Sequence, residues 1–205
     1  ETNKVDPYPI LKELAVEMEC NLVAPINANQ RRFPGKIEKG IASMHLFNRY
    51  GEAVGIQDKQ NLYRKESEYF APGGTVKLVE IEDIRIGLVR GLDMLSPKYT
   101  QQLKDADNLF YSAIATDDIM LDLAKTRVLE NLCYVAMSSF IGSYMGLECK
   151  GNAAIMLPYF KSEDEMIGLG QTNLFKHTQQ EGVLVADIYI DYIRMVKREF
   201  SQRIH

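Results

Sequence analysis

A chain of 205 residues that is 46% hydrophobic and 25% charged is long enough to bury a sizeable core and is ordinary for a globular protein. With 28 acidic against 24 basic residues, a net charge of −4 and no basic run longer than Arg31-Arg32, it argues against a general nucleic-acid binder. The opening residues ETNKVDPYP hold neither an apolar signal core nor a twin-arginine pair, so the composition predicts one domain, residues 1–205, working in the cytoplasm without membrane insertion.

Pro7 and Pro9 punctuate the start. Ile10, Leu11, Leu14, Ala15 and Met18 then form a helical stripe with Lys12, Glu13 and Glu17 facing away. Asn21 to Ala24 reads as a short strand closed by Pro25. Ile37, Ile41, Met44, Leu46 and Phe47 suggest a second helix, with Gly51 at its left-handed C-terminal position. Ala53 to Ile56 begins a hairpin that turns over Asp58 to Asn61, and Ala71-Pro72-Gly73-Gly74 precedes a strand over Thr75 to Ile81. Ile84, Leu88, Leu92 and Leu95 predict a helix over Glu82–Leu95, broken by Ser96-Pro97. The period continues through Tyr99, Leu103, Ala106, Leu109, Phe110 and Ala113.

The longest signal is Thr116 to Gly151. Apolar and small residues recur at Met120, Leu121, Ala124, Val128, Leu132, Val135, Ala136, Ser139, Phe140 and Ser143, largely in steps of three and four, which predicts one helix of roughly seven turns. Charge vanishes between Cys133 and Leu147. That run is short of the roughly 20 residues needed to cross a bilayer, so it reads as a buried central helix. Ala153 to Phe160 then has strand length with Pro158 inside it, Lys161 to Gly170 reads as a surface turn or short helix, and Glu181 to Arg203 is a last amphipathic helix. The expected fold is a helix-rich α+β domain with a long central buried helix and a small, mainly antiparallel sheet near Val54, Val76 and Ile155.

Chemistry is hard to find. Gly168-Leu169-Gly170 lacks the third glycine of a dinucleotide fingerprint, and no phosphate-binding loop occurs. His45, His177 and His205 are too scattered for a metal site, so neither metal nor cofactor is expected. The acidic runs Asp117-Asp118, Glu80-Glu82-Asp83 and Glu163-Asp164-Glu165 read as solvated faces. Cys20, Cys133 and Cys149 read as reduced, buried thiols. An uncharged helix would raise the pKa of Cys133 and Cys149, the reverse of what a reactive thiolate needs. No residue is assigned a catalytic role. If a pocket is instead assembled from scattered residues, as in an enzyme or small-ligand sensor, Tyr144, Cys149 and His177 are the first to line it.

The run LENLCYVAMSSFIGSYMGLECKGNAAIMLPYF, with the N-terminal helix followed by Cys20-Asn21-Leu22-Val23, resembles the small acidic adaptor proteins of the Dot/Icm type IVB secretion system. The resemblance implies a non-enzymatic adaptor or chaperone that docks on a C-terminal segment of the coupling ATPase, beside other small acidic adaptors, and presents effector proteins. From the residues themselves, Val183, Ala186, Ile190 and Ile193 form a second apolar line beside Val185, Ile188, Tyr192 and Val196. That surplus makes the four the expected partner-binding residues of an apolar groove.

Overall fold

Asp6 opens the first helix, α1 (Pro7–Glu17), because its carboxylate accepts the Tyr8 N–H at 3.1 Å and Pro7 is already set to a helical φ. In this computed structural model, which describes residues 6–28, 31–33, 36–159, 171–178 and 180–203, the chain divides into two compact units, Glu1–Thr75 and Val76–His205.

In the first unit, β1 (Leu22–Asn27) and β5 (Ala53–Asp58) lie antiparallel on either side of β4 (Gly40–Phe47). A short hairpin, β2 (Arg31–Phe33) with β3 (Lys36–Glu38), stands apart. After the one-turn α2 (Glu66–Tyr69), β6 (Phe70–Ala71) runs parallel to the start of β4. Ala15 of α1 closes over Ile26 and Phe47, and the Tyr8 ring meets Phe47 edge-on at 5.2 Å. The helix expected through Ile37 to Phe47 is therefore a strand. β4 is buried at nearly every position, so it reads as a continuous apolar run without the alternation of a half-exposed strand. Gly51 has a φ of 76°, as expected, but it serves the turn between two strands.

The second unit is built on one sheet of six strands. Here β7 (Leu78–Ile81) and β8 (Ile84–Arg90) form a hairpin. A 3-10 turn (Gly91–Leu95) and α3 (Pro97–Gln101) lead to β9 (Asn108–Ala113), and α4 (Ile119–Asn131) leads to β10 (Tyr134–Ser139). A further hairpin, β11 (Ile141–Tyr144) with β12 (Leu147–Lys150), precedes β13 (Ala153–Tyr159), β14 (Gln171–Thr178) and α5 (Ile190–Arg203). The three central strands β8, β9 and β10 are parallel, and β7, β13 and β14 join antiparallel. Gly87 permits the β8–β9 contact, since a Cβ there would come within 2.5 Å of a Leu109 methyl. Val89, Leu109, Tyr111, Val128, Val135 and Met156 belong to the core between this sheet and α4.

The expected helix-rich α+β fold is instead a mixed α/β fold with substantial sheet. The long central helix does not form: α4 stops at Asn131, Leu132 takes a left-handed φ of 46°, and the chain from Tyr134 to Lys150 is strand and hairpin. β10 and its hairpin carry no charge and no clear alternation between Cys133 and Leu147, so the run imitates a buried helix although Ser138 and Phe140 are exposed. The same confusion covers Glu82–Leu95, now β8 and its turn, and the stretch from Tyr99 to Ala113, which ends in β9. Strands do occur at Val54 and Ile155, and β7 begins two residues after Val76. The expectations for Lys161 to Gly170, including Glu163-Asp164-Glu165 and Gly168-Leu169-Gly170, and for His205 fall outside the described residues.

At the N-terminal ends of the parallel strands, α5 is clamped through one buried carboxylate. Asp107, with no side-chain exposure, meets Arg194 Nη2 at 3.1 Å and Arg85 Nη2 at 3.3 Å, and accepts the Arg85 backbone N–H at 2.9 Å. Burial acts to raise its pKa, but the hydrogen bonds from Arg194 and Arg85 outweigh it and hold the carboxyl below the ordinary aspartate value. Lys197 donates to the Ala106 carbonyl, while Ile193 and Val196 are buried beneath the helix.

Candidate active site

In sheets with parallel strands, ligands are bound beyond the carboxyl ends of the strands, where the connections diverge. Here that edge is formed by the ends of β8, β9 and β10 in the second unit. β8 runs directly into Gly91, which is buried and left-handed at φ 50°, and the 3-10 turn starts at the same residue.

Side chains from neighbouring elements hold this turn, the strand that leads into it and the helix that follows it. From β9, the Tyr111 hydroxyl donates to the Gly91 carbonyl at 3.2 Å. From α4, the buried Arg127 donates through Nε and Nη2 to the Met94 carbonyl at 3.3 and 3.2 Å, and its Nη1 reaches Glu130 at 2.5 Å. From α3, the Tyr99 hydroxyl donates to the Leu88 carbonyl at 2.8 Å, and Asn131 of α4 donates to Thr100 at 3.3 Å. Asp93 is wholly buried within the turn. Burial first, and the Asp93 charge second, push both tyrosine hydroxyls above the usual phenol range, so Tyr99 and Tyr111 act as neutral donors.

Beyond β9 and β10 the edge is completed by the β11–β12 hairpin. The Phe140 N–H donates to Ala113 and the Lys150 N–H to Ala115, while Ser139 Oγ donates to the Gly151 carbonyl at 2.5 Å. Asn152 ties Asp117 and Asp118 to the same place, donating to the Asp117 carbonyl at 3.1 Å and to Asp118 Oδ1 at 2.9 Å. The Asp117-Asp118 pair thus anchors the loop after β9. Phe140 is 47% exposed at this edge.

The first unit holds a buried ion pair of its own. Lys59 Nζ lies 2.5 Å from Glu66 Oε2, both side chains 3% exposed, and Glu66 also accepts the Tyr63 N–H at 2.8 Å. Among the described residues, no group of three or more histidine, cysteine, aspartate or glutamate side chains is placed to hold a metal ion.

Of the residues expected to line a pocket, Tyr144 and Cys149 do come together, on the two strands of the β11–β12 hairpin, where Cys149 sits opposite Gly142. His177 lies in β14, its backbone opposite Ala154. His45 is in β4, stacked on Phe47 at 6.1 Å. Cys133 is fully buried at the start of β10, where burial pushes its thiol up to about 12 against the opposing influence of Lys197. Burial and then Glu148 raise Cys149 as well. Neither buried sulfur is a thiolate at neutral pH. Iodoacetamide at neutral pH is accordingly expected to alkylate the exposed Cys20 and to leave Cys133 unmodified until the chain is unfolded. Mass spectrometry of native and denatured samples checks this, and native alkylation of Cys133 would contradict its burial.

Residues 9–198 match the carbon-nitrogen hydrolase family model. The chain belongs to the carbon-nitrogen hydrolase family.

The fold agrees. A carbon-nitrogen hydrolase from Helicobacter pylori G27 superposes with a TM-score of 0.76 over 95% of this chain and 70% of that one, at 17% identity. Saccharomyces cerevisiae Nit3, a member of branch 10 of the nitrilase superfamily, gives 0.64 over 77% of this chain and 59% of its own, at 20% identity. An amidase from Nesterenkonia sp. AN1, in a glutamate-to-glutamine form with the acetamide moiety of fluoroacetamide added to its active-site cysteine, gives 0.64 over 73% and 58%, at 19% identity. The same amidase has been seen with butyramide. The chain thus spans between 58% and 70% of the length of these structures. No curated protein sequence matches it.

Membership of this hydrolase family overturns the secretion-adaptor reading. The resemblance to Dot/Icm adaptors rested on an apolar run taken for a helix, and that run is β10 and its hairpin in a chain of the carbon-nitrogen hydrolase family. The non-enzymatic role and the groove for a coupling-ATPase segment, small acidic adaptors and effectors fall with it. The pocket of scattered residues is the better reading. Of the four residues assigned to that groove, Ile193 is fully buried within its own unit and Ile190 is half-buried. Val183 (88% exposed) and the half-buried Ala186 precede α5. Gly91, Asp93, Tyr111 and Arg127 went unrecognised. The available signal was a glycine closing the apolar run IRIGLV just before an Asp and a Ser-Pro pair, a strand-then-turn pattern.

Proposed function

We propose that the protein hydrolyses the carbonyl–nitrogen bond of a small carboxamide at the C-terminal edge of β8, β9 and β10, water supplying the oxygen of the acid and the proton taken up by the departing ammonia. The observation that carries this reading is the family match over residues 9–198, a span that includes every strand and turn of that edge. The held turn at Gly91 supports the position, because reaction centres need a backbone fixed by its surroundings. Phe140 supports a short acyl substrate, offering exposed apolar surface at the same edge, next to the end of β9. Three unpaired thiols, Cys20, Cys133 and Cys149, support a reducing compartment, and the cytoplasm is part of the same proposal.

The test is ammonia release by the purified protein from a series of short carboxamides including butyramide. Turnover is expected, and Tyr111→Phe, which removes the donor to the Gly91 carbonyl but keeps the ring, is expected to lower kcat about tenfold by loosening the turn. Its melting temperature should fall by only a few degrees, in keeping with one hydrogen bond of about 1 kcal/mol. A carboxamide that raises the melting temperature without releasing ammonia would overturn the hydrolytic reading.

A further inference from the structure

A strand that ends in a left-handed residue and passes at once into a helical turn lifts that residue's side chain clear of the sheet, which is how several hydrolases expose a nucleophile. β8 ends this way at position 91, on the ligand-binding edge, and the residue there is glycine. The backbone does not demand glycine. Glu19, Glu82, Asp83, Leu132 and Met145 all stand in this chain with φ between 46° and 61°, close to the 50° of Gly91. The turn is nevertheless fixed by Tyr111 of β9 and Arg127 of α4, and Tyr99 holds Leu88 in the strand that leads into it, a costly arrangement for a turn that presents no side chain. The buried thiols do not fill the position: Cys133 lies at the opposite end of the parallel strands, and Cys149 hydrogen-bonds within its own hairpin, 3.6 Å from the Leu147 carbonyl.

We infer that position 91 is a nucleophile-presenting position that this chain leaves without a side chain, so that the wild-type protein handles its acyl substrate with no covalent adduct at this turn. The inference rests on the carboxamide reading and names where its carbonyl carbon lies, against the Cα of Gly91.

The experiment uses Gly91→Cys in a Cys20→Ser background, with fluoroacetamide as probe. The introduced sulfur would displace fluoride, forming a carbon–sulfur bond as the carbon–fluorine bond breaks, with fluoride leaving and the thiol proton passing to water. Peptide mass spectrometry is expected to find one acetamide group at position 91, added at least about tenfold faster than to free cysteine at the same pH. Addition no faster than to free cysteine would overturn the inference. A second measurement does not depend on the variant folding: wild-type protein, acid-quenched during incubation with butyramide, is expected to carry no acyl group, and a thioester on Cys133 or Cys149 would place the nucleophile elsewhere and sink the idea. Absence of ammonia release from the wild type bears on the hydrolytic reading alone, whereas slow labelling of the variant bears on the position of the nucleophile alone.

Discussion

Replacing Glu66 with alanine is expected to destabilise the first unit by about 3–5 kcal/mol, the usual cost of removing one member of a buried ion pair. The Lys59 ammonium would stay buried while losing the carboxylate now 2.5 Å away, and the Tyr63 N–H would lose its acceptor. The penalty comes from the stranded charge more than from the lost attraction. Replacing both partners, Lys59→Met with Glu66→Leu, should therefore recover most of it. Urea unfolding of the parent, the single variant and the double variant measures the difference. A single variant as stable as the parent would mean that water reaches the pair.

Asp107→Ala should cost the second unit about 2–3 kcal/mol at neutral pH, because one carboxylate accepts from Arg85 and Arg194 and from the Arg85 backbone N–H. The partly exposed arginines keep the figure below that of a fully buried pair. Since the folded-state pKa of Asp107 is lowered, the ionised form is favoured by folding. Its contribution is complete above the ordinary aspartate value and is lost as pH falls through the lower, folded value. The stability gap between parent and variant, measured by urea unfolding across this range, should narrow only below pH about 4. A gap that stays constant to lower pH would remove the ionic interpretation.

The ends of the chain were legible and its middle was not, for a geometric reason. α1 and α5 carry apolar residues at helical spacing among charged ones, so both are legible as helices, although Ile10, Leu14 and Met18 of the stripe expected to be buried in α1 are exposed. Ile84, Leu88 and Leu92 are four apart, and positions four apart also share parity. They mark one face of a strand as well as one face of a helix. Where nearly every position is buried, as in β4, no exposed polar residue breaks the tie. The breakers that could have broken it were the left-handed positions, Leu132 among them, which carry no compositional mark. The candidate site was hidden for a related reason. Tyr111 and Arg127 lie 20 and 33 residues from the carbonyls they hold, and Gly91 matters through its backbone and the absence of a side chain.

The clamp on α5 also bears on how the protein is made. Arg194 is added to the growing chain 87 residues after Asp107, so for most of that interval the emerging β8–β9–β10 sheet lacks the helix that covers its charged end. The first unit, through Thr75, has its own sheet and its own buried ion pair and can fold on the ribosome while the second is still being synthesised. Nascent chains stalled before Tyr189 should therefore protect the first unit from protease and leave the second open to it, with protection of the second arriving as α5 leaves the exit tunnel.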